Sequence, residues 1–576
     1  VKHLVKYLKP YYKEIIFAIL LLIVQAVSNL FLPNLNAKII NEGIAKGDIQ
    51  YIIHTGGIML LATLLLAGAA ILASYFSSKV VTSYSRDLRR ELYYKVLSFS
   101  KQDFDRFGTA SLVTRNTNDV HQVQMFVLTL LNIMIMAPIM SIGGIIMAIR
   151  QDVVLSSSII IVVPVIALIV FFIMRKTVPL FKTLQKKVDK VNQVLREKLM
   201  GIRVIRAFVK DDYEARRFDK ANKDLTQTAL KVNRIMALGI PLIMLAMNVT
   251  SLAITWFGGI RIDSGAMPIG NLTAFLTYVM EILISIMMAM TMFIMLPRAE
   301  ASAERINEIL HTEPSVKEPK SPKIPSERKG VLAFKDVSFQ YADAEAPVLS
   351  KISFTALPGQ TTAIVGSTGS GKSTLVHLIP RFYDVTEGKI EIDGVDIREM
   401  PLELVRDMIG LVPQKSYLFS GTIESNLRFG KKDATEEEMW HALEIAQAKN
   451  FVSRLPEKLK APVDQGGTNF SGGQRQRLCI ARAIVKRPTI YIFDDSFSAL
   501  DNKTEAKVRE ALKDETKDAT VIIVAQKVST VLTADQIVVL SDKGTIAGIG
   551  THQELLKSCE VYQEIVYSQI PKEEAV

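Results

Sequence analysis

The stretch TTAIVGSTGSGKSTL, Thr361 to Leu375, decides how the second half of the chain folds. Its apolar opening reads as a β-strand, the residues Gly366-Ser367-Thr368-Gly369-Ser370-Gly371-Lys372-Ser373 as a turn, and the segment from Thr374 onward as a helix. Glycines spaced in this way let backbone N–H groups turn inward onto phosphate oxygens, while the helix N-terminus adds partial positive charge. Lys372 reaches the terminal phosphates of a nucleotide, Ser373 contacts Mg²⁺, and Thr374 lies beside them in the first turn. An α/β domain that holds ATP and Mg²⁺ is expected.

Downstream, IYIFDDSFSALD (Ile490 to Asp501) ends an apolar strand in two adjacent aspartates. After a phosphate loop, Asp494 is the carboxylate expected to hold Mg²⁺ through its shell, and Asp495 stands where a base is wanted. Between the loop and the aspartates lies NFSGGQRQRLCIARAIV, Asn469 to Val485. Here Ser471-Gly472-Gly473-Gln474 open a strongly helical segment, a second helix N-terminus built from small residues that can face phosphate.

The first half reads differently. Apolar runs long enough to span about 30 Å of hydrocarbon cover roughly residues 15–33, 56–77, 126–149, 153–174, 239–260 and 272–296. The first continues to Pro33 without a small-residue cleavage site, so it is expected to stay in the mature chain. Lys79, Arg86, Arg89, Arg90, Lys95, Lys101, Arg106 and Arg115 lie between the second and third runs, and the segment from Arg175 to Arg234 is more basic still. These segments are therefore expected on the cytoplasmic side, with both termini. VNQVLREKLMGIRVIRAFVKDDYEARRF (Val191 to Phe218) has helical periodicity, so the spans are expected to run on as long helices outside the bilayer. The last run, FLTYVMEILISIMMAMTMF, carries Glu281 among methionines. A carboxylate at that depth is costly unless it faces water or a partner, which marks Glu281 as a candidate substrate contact, and polarizable Met suits adaptable apolar recognition. LHTEPSVKEPKSPKIPSERKG, Leu310 to Gly330, lacks either period and reads as a linker. The expected plan is an all-α six-helix membrane domain over 1–309, a linker over 310–330 and an α/β domain over 331–576.

Composition agrees with this plan. The 576 residues exceed one ordinary core, and a hydrophobic fraction of 49% is high for a soluble protein. The formal net charge of +11 has its explanation in cytoplasmic loops, and no nucleic-acid partner is expected. Two cysteines, Cys479 and Cys559, provide no disulfide framework.

The ordered set of motifs resembles the ATP-binding cassette, and six spans, linker and cassette in one chain are similar to an ABC exporter half-transporter. Ser471 to Gln474 match the family signature. Tyr341, in VSFQYADAEAPVL, resembles the aromatic on which adenine stacks, and Gln414, in GLVPQKSYLFSGTIESNL, the glutamine that senses γ-phosphate and Mg²⁺. Ser498-Ala499-Leu500-Asp501 resembles the loop that crosses the dimer interface. The resemblance implies that two chains pair head to tail, with ATP between one chain's phosphate loop and the other's signature.

Three positions depart from the family pattern. Efficient hydrolysers have glutamate where this chain has Asp495 and histidine where VIIVAQKVST has Gln526, and Gln465 replaces the usual glutamate of the cross-domain loop. Asp is shorter than Glu by about 1.5 Å, and a 1 Å misplacement of a catalytic group can cost about a hundredfold. Gln526 can donate a hydrogen bond but cannot become cationic. The pattern resembles the degenerate-site subunit of heterodimeric bacterial multidrug exporters. It implies a different partner chain, hydrophobic or amphipathic substrates and a place in the bacterial plasma membrane. An ATP-gated channel or regulatory membrane protein, or a homodimeric lipid or peptide exporter, is the alternative.

Overall fold

The computed structural model describes residues 2–342 and 344–570. Residues 571–576 of the expected cassette, and the side chain of Met290 in the Met-rich run, lie outside the described residues. The chain divides into two compact units, Val1–Val96 with Ala110–Thr312, and Leu97–Thr109 with Glu313–Val576.

The helices of the first half are α1 (Tyr12–Lys38), α2 (Ile49–Leu97), α3 (Lys101–Phe107), α4 (Thr109–Thr114), α5 (Val120–Gln151), α6 (Val153–Met200), α7 (Ile202–Ala207), α8 (Asp211–Asp263) and α9 (Ile269–His311). Among the described residues, six helical stretches are long and apolar enough to cross a membrane: Leu4–Ile44, Ile49–Leu97, Thr109–Gln151, Val153–Met200, Asp211–Asp263 and Ile269–Ala289. The 49 residues of α2, 48 of α6 and 53 of α8 are continuous helices. At 1.5 Å per residue each measures roughly 70 to 80 Å, more than twice the hydrocarbon thickness. Large apolar side chains such as Leu60, Ile160 and Trp256 stay exposed on their surfaces, as hydrocarbon permits and water disfavours.

Inward-facing residues of α1, α5, α6, α8 and α9 form one apolar core that includes Ala26, Ile166, Ile254, Phe275 and Ile282. Between α5 and α6 the chain reverses at a single residue, Asp152. One Asp152 oxygen caps α6 by accepting from the Leu155 N–H at 2.8 Å, and the other accepts from Arg261 Nε of α8 at 2.8 Å. A π-helical turn, Arg115–Asp119, joins α4 to α5. It carries the buried Asp119, which accepts from Arg305 Nε at 2.7 Å and Ser302 Oγ at 3.0 Å, both on α9.

In the second unit, β1 (Leu332–Phe339), β2 (Leu349–Ala356), β4 (Glu387–Ile392) and β5 (Val395–Asp396) form an antiparallel sheet in the order β2-β1-β4-β5, while β3 (Thr361–Gly366) begins another. The latter takes in β6 (Ile409–Val412), β9 (Ile490–Asp494), β10 (Thr520–Val524), β11 (Gln536–Leu540) and β12 (Ile546–Gly550), while β7 (Gly421–Thr422) and β8 (Pro462–Val463) form a separate antiparallel pair. Its order is β12-β11-β3-β10-β9-β6, parallel except for the β12 edge. Every residue of β9 and β10 is buried, which explains why both read as uninterrupted apolar runs. One helix of this unit comes from the first half of the chain. In α3, Asp103 Oδ2 accepts from the Ser315 N–H at 3.1 Å, and Asp105 Oδ2 accepts from Tyr383 Oη at 3.0 Å.

Candidate nucleotide site

Parallel strands place their C-terminal ends along one edge of a sheet, where ligands of α/β folds bind. At that edge β3 opens into the phosphate loop, β9 ends in Asp494, and the segments after β6 and β10 carry Gln414 and Gln526. Four separate stretches of sequence thus meet because of topology. Gly369 and Gly371 adopt left-handed backbone (φ +92° and +91°), which a side chain would strain. The following helix, Lys372–Leu378, begins directly at the lysine.

Lys372 Nζ donates to the carbonyls of Gly366 (2.9 Å) and Ser367 (2.6 Å), and Ser373 Oγ donates to Asp494 Oδ1 at 3.0 Å. Burial lowers the Lys372 ammonium below the usual lysine range, against the attraction of Asp495 and Asp494. Burial also raises Asp494, opposed by the Ser373 hydrogen bond and by His377, and raises Asp495, opposed by the Gln414 hydrogen bond. A group that binds the charge of a metal or phosphate gains most where water is excluded in this way.

Asp495 sits in the left-handed region, φ +48°, which Asp tolerates better than most residues. Its Oδ2 accepts from Gln414 Nε2 at 3.3 Å and Gln526 Nε2 at 3.1 Å. Thr368, Gly369, Gly371, Lys372, Ser373, Gln414 and Gln526 line a cavity of about 250 Å³ at this point. Tyr341 lies beside the loop, its Oη 2.9 Å from Thr374 Oγ1 and its ring edge-on to Phe339.

The signature residues do not line that cavity. They form the start of the helix Gly472–Lys486, where Ser471 accepts from the Gln474 N–H at 3.3 Å and Gln474 Oε1 accepts from the Ser471 N–H at 2.9 Å. A Cβ built on Gly472 meets no atom of the described residues within 4 Å, so this turn is open. The loop before Asp501 is tied to the same helix, the Ala499 N–H donating to Gln476 Oε1 at 3.1 Å. Asp501 caps the helix Asn502–Glu515.

Residues 15–287 match the family model of the ABC transporter transmembrane region, and residues 349–498 match the family model described as ABC transporter. An uncharacterized ABC transporter ATP-binding protein of Mycobacterium tuberculosis is 46% identical over 568 residues, 98% of this chain and 97% of that one. The chain belongs to the ABC transporter family. This ABC transporter is also 29% identical to an ATP-dependent lipid A-core flippase of Chromobacterium violaceum, over 100% of this chain and 98% of the flippase. Its fold matches the structure of a bacterial Atm1-family ABC exporter with ATP bound, with a TM-score of 0.80 at 24% identity over 98% and 99% of the two chains. It is a multi-pass membrane protein whose cytoplasmic cassette binds ATP and couples hydrolysis to transport.

The transporter's donor set suits Mg²⁺. Ser373 and Asp494 offer hard oxygen ligands next to the phosphate loop. No cluster of three or more His, Cys, Asp or Glu among the described residues would cage a metal alone. Mg²⁺ takes one or two protein oxygens and completes its shell with phosphates and water. In the membrane unit, Glu281 is half-buried; its Oε1 accepts from Asn29 Nδ2 at 3.4 Å, and its buried Oε2 has no hydrogen-bond partner among the described residues.

Sequence reasoning missed two neighbours of the nucleotide site. His377 Nε2 lies 3.5 Å from Asp494 Oδ2. Its signal was its place four residues after Ser373, on the same helix face. Gln569 bonds the backbone on either side of Lys527, from a distance in sequence that no local pattern could reveal.

Proposed function

We propose that this ABC transporter is one half of a heterodimeric exporter that moves hydrophobic or amphipathic compounds out of the bacterial cytoplasm. In this reading its own phosphate loop retains MgATP with slow hydrolysis, while Ser471 to Gln474 complete the hydrolytic site of a different partner chain. The observation that carries the reading is the state of Asp495. Its Oδ2 already accepts from two amides, Gln414 and Gln526. A water must compete with those donors for a carboxylate that is one methylene too short. In contrast, Lys372, Ser373 and Asp494 converge as phosphate and metal binding requires.

Bound Mg²⁺ would neutralise charge on the terminal phosphates. Tyr341 would face the adenine, Gln414 would report the γ-phosphate, and Asp501 would hold the loop that meets the partner. In the spans, Glu281 Oε2, without a partner among the described residues, supports a contact with cationic substrates. A second reading, a homodimer that moves lipid, is favoured by the whole-length likeness to a lipid A-core flippase.

Isolation of the tagged chain from its native membrane tests the proposal. A stoichiometric second half-transporter is expected, and the chain alone should bind MgATP yet turn over slowly. Recovery of the chain only with itself, with rapid turnover that Asp495→Asn abolishes, would establish the homodimer instead.

A further inference from the structure

The segment that carries Gln526, residues 525–531, is held from two directions. On one side the helix Asn502–Glu515 grips Thr530, whose Oγ1 donates to the buried Glu505 at 2.5 Å and whose carbonyl accepts from Arg509 Nη1 at 2.9 Å. Lys527 Nζ lies 3.6 Å from Glu505 Oε2. On the other side one side chain makes both bonds. Gln569 Nε2 donates to the Gln526 carbonyl at 2.8 Å, and Gln569 Oε1 accepts from the Val528 N–H at 2.9 Å.

A primary amide that meets a carbonyl and an N–H two residues apart acts like an added strand partner, fixing the residue between them. Lys527 is accordingly extended, φ −87° and ψ +127°. Gln569 is itself held in place. It follows the helix Glu560–Tyr567, whose Tyr562 and Val566 are fully buried, and its own N–H donates to the Val566 carbonyl at 3.0 Å. His552 Nδ1 lies 2.7 Å from Tyr562 Oη and anchors that helix further. The path from the buried helix to the site is therefore short: Val566, Gln569, the Gln526 backbone, the Gln526 amide, Asp495.

We propose that Gln569 is a positioning residue for the nucleotide site. By bracing the backbone around Lys527 it aims the Gln526 amide at Asp495, so the C-terminal helix sets how long bound MgATP survives. The inference rests on the reading of Gln526 as a residue of that site. Among the described residues Gln569 makes no hydrogen bond to Asp495 or to the phosphate loop, and it acts through the backbone that carries Gln526.

The test uses the full-length protein in nanodiscs, carrying Gln526→Ala, Gln569→Leu or both. Single-turnover cleavage of radiolabelled MgATP and hydrogen exchange across residues 525–531 are measured. Loss of one backbone hydrogen bond should speed exchange at Val528 about fivefold to tenfold in Gln569→Leu. The single-turnover rate should change at least about threefold in the same direction as in Gln526→Ala, and the double variant should match Gln526→Ala alone, because groups acting in series are not additive. Gln569→Glu keeps an acceptor for the Val528 N–H and should restore part of the protection; it also serves if Gln569→Leu fails to accumulate. A rate altered by Gln526→Ala but not by Gln569→Leu overturns the proposal and leaves Gln526 in the site. Rates unaffected by Gln526→Ala overturn both. Fully additive changes in the double variant also overturn it, because Gln569 would then act as a general stabiliser.

Discussion

Gly472 and Asp495 separate the two roles of the cassette at the scale of one residue. Because a Cβ at Gly472 meets no neighbour, Gly472→Glu should fold normally and project a negative charge from the open turn. If that turn faces a partner's γ-phosphate, turnover of the assembled transporter should fall about a hundredfold to a thousandfold, the usual cost of losing a transition-state donor. Asp495→Ala removes a carboxylate already engaged by two amides and should lower turnover only a few-fold in the same assembly. Steady-state hydrolysis at saturating MgATP compares the two directly. Equal damage from both would make Asp495 a working base. Lys372→Ala should weaken ATP binding about tenfold to a hundredfold, as expected for a lost charged hydrogen bond, when read by equilibrium titration with a fluorescent nucleotide.

Among the elements, Asp152 does two things with one carboxylate, capping α6 and pairing with Arg261 of α8. Asp152→Ala removes a cap and leaves a partly buried guanidinium unpaired, so stability should drop by about 2 to 4 kcal/mol. Asp152→Asn keeps the cap and should recover part of it, the thermal midpoint in detergent being the measure. The elements themselves were legible in sequence where they depend on local pattern. Thr361 to Gly366 and Ile490 to Asp494 are continuous apolar runs and both are buried strands. The run from Ile15 has helical spacing and lies in a long helix, and the basic segment Arg175 to Arg234 lies in the long α6 and α8, interrupted at residues 201–210 by the short α7. Junctions were not legible. The Asp103 and Asp105 bonds of α3 depend on Ser315 and Tyr383, more than two hundred residues away in the chain. The π-helical turn at Arg115–Asp119 is held by Arg305 and Ser302 of α9. The site shows the same division: its loop and strand were written locally, whereas the amides around Asp495 and the brace from Gln569 required the fold.

For the whole molecule, the direct measurement is ATP-dependent flux into inverted vesicles with no imposed ion gradient. Glu281→Gln should reduce flux of cationic compounds more than that of neutral ones, with folded yield preserved, because Glu281 Oε2 has no partner among the described residues to lose. Equal loss for both classes with reduced yield would make the carboxylate a packing element. The lengths of α2, α6 and α8 bear on how such flux is driven. A helix that stays stiff between its ends acts as a lever arm; α2 has no internal proline, whereas a bend is allowed at Pro164 and Pro179 of α6 and at Pro241 of α8. With about 80 Å of straight α8 as the arm, a swing of about 5° about one end carries the other through roughly 7 Å, comparable to the width of a small amphipathic molecule. Leverage of this kind makes stiffness a functional quantity. Softening the middle of the arm would leave both ends folded and would weaken the transmission of motion between them.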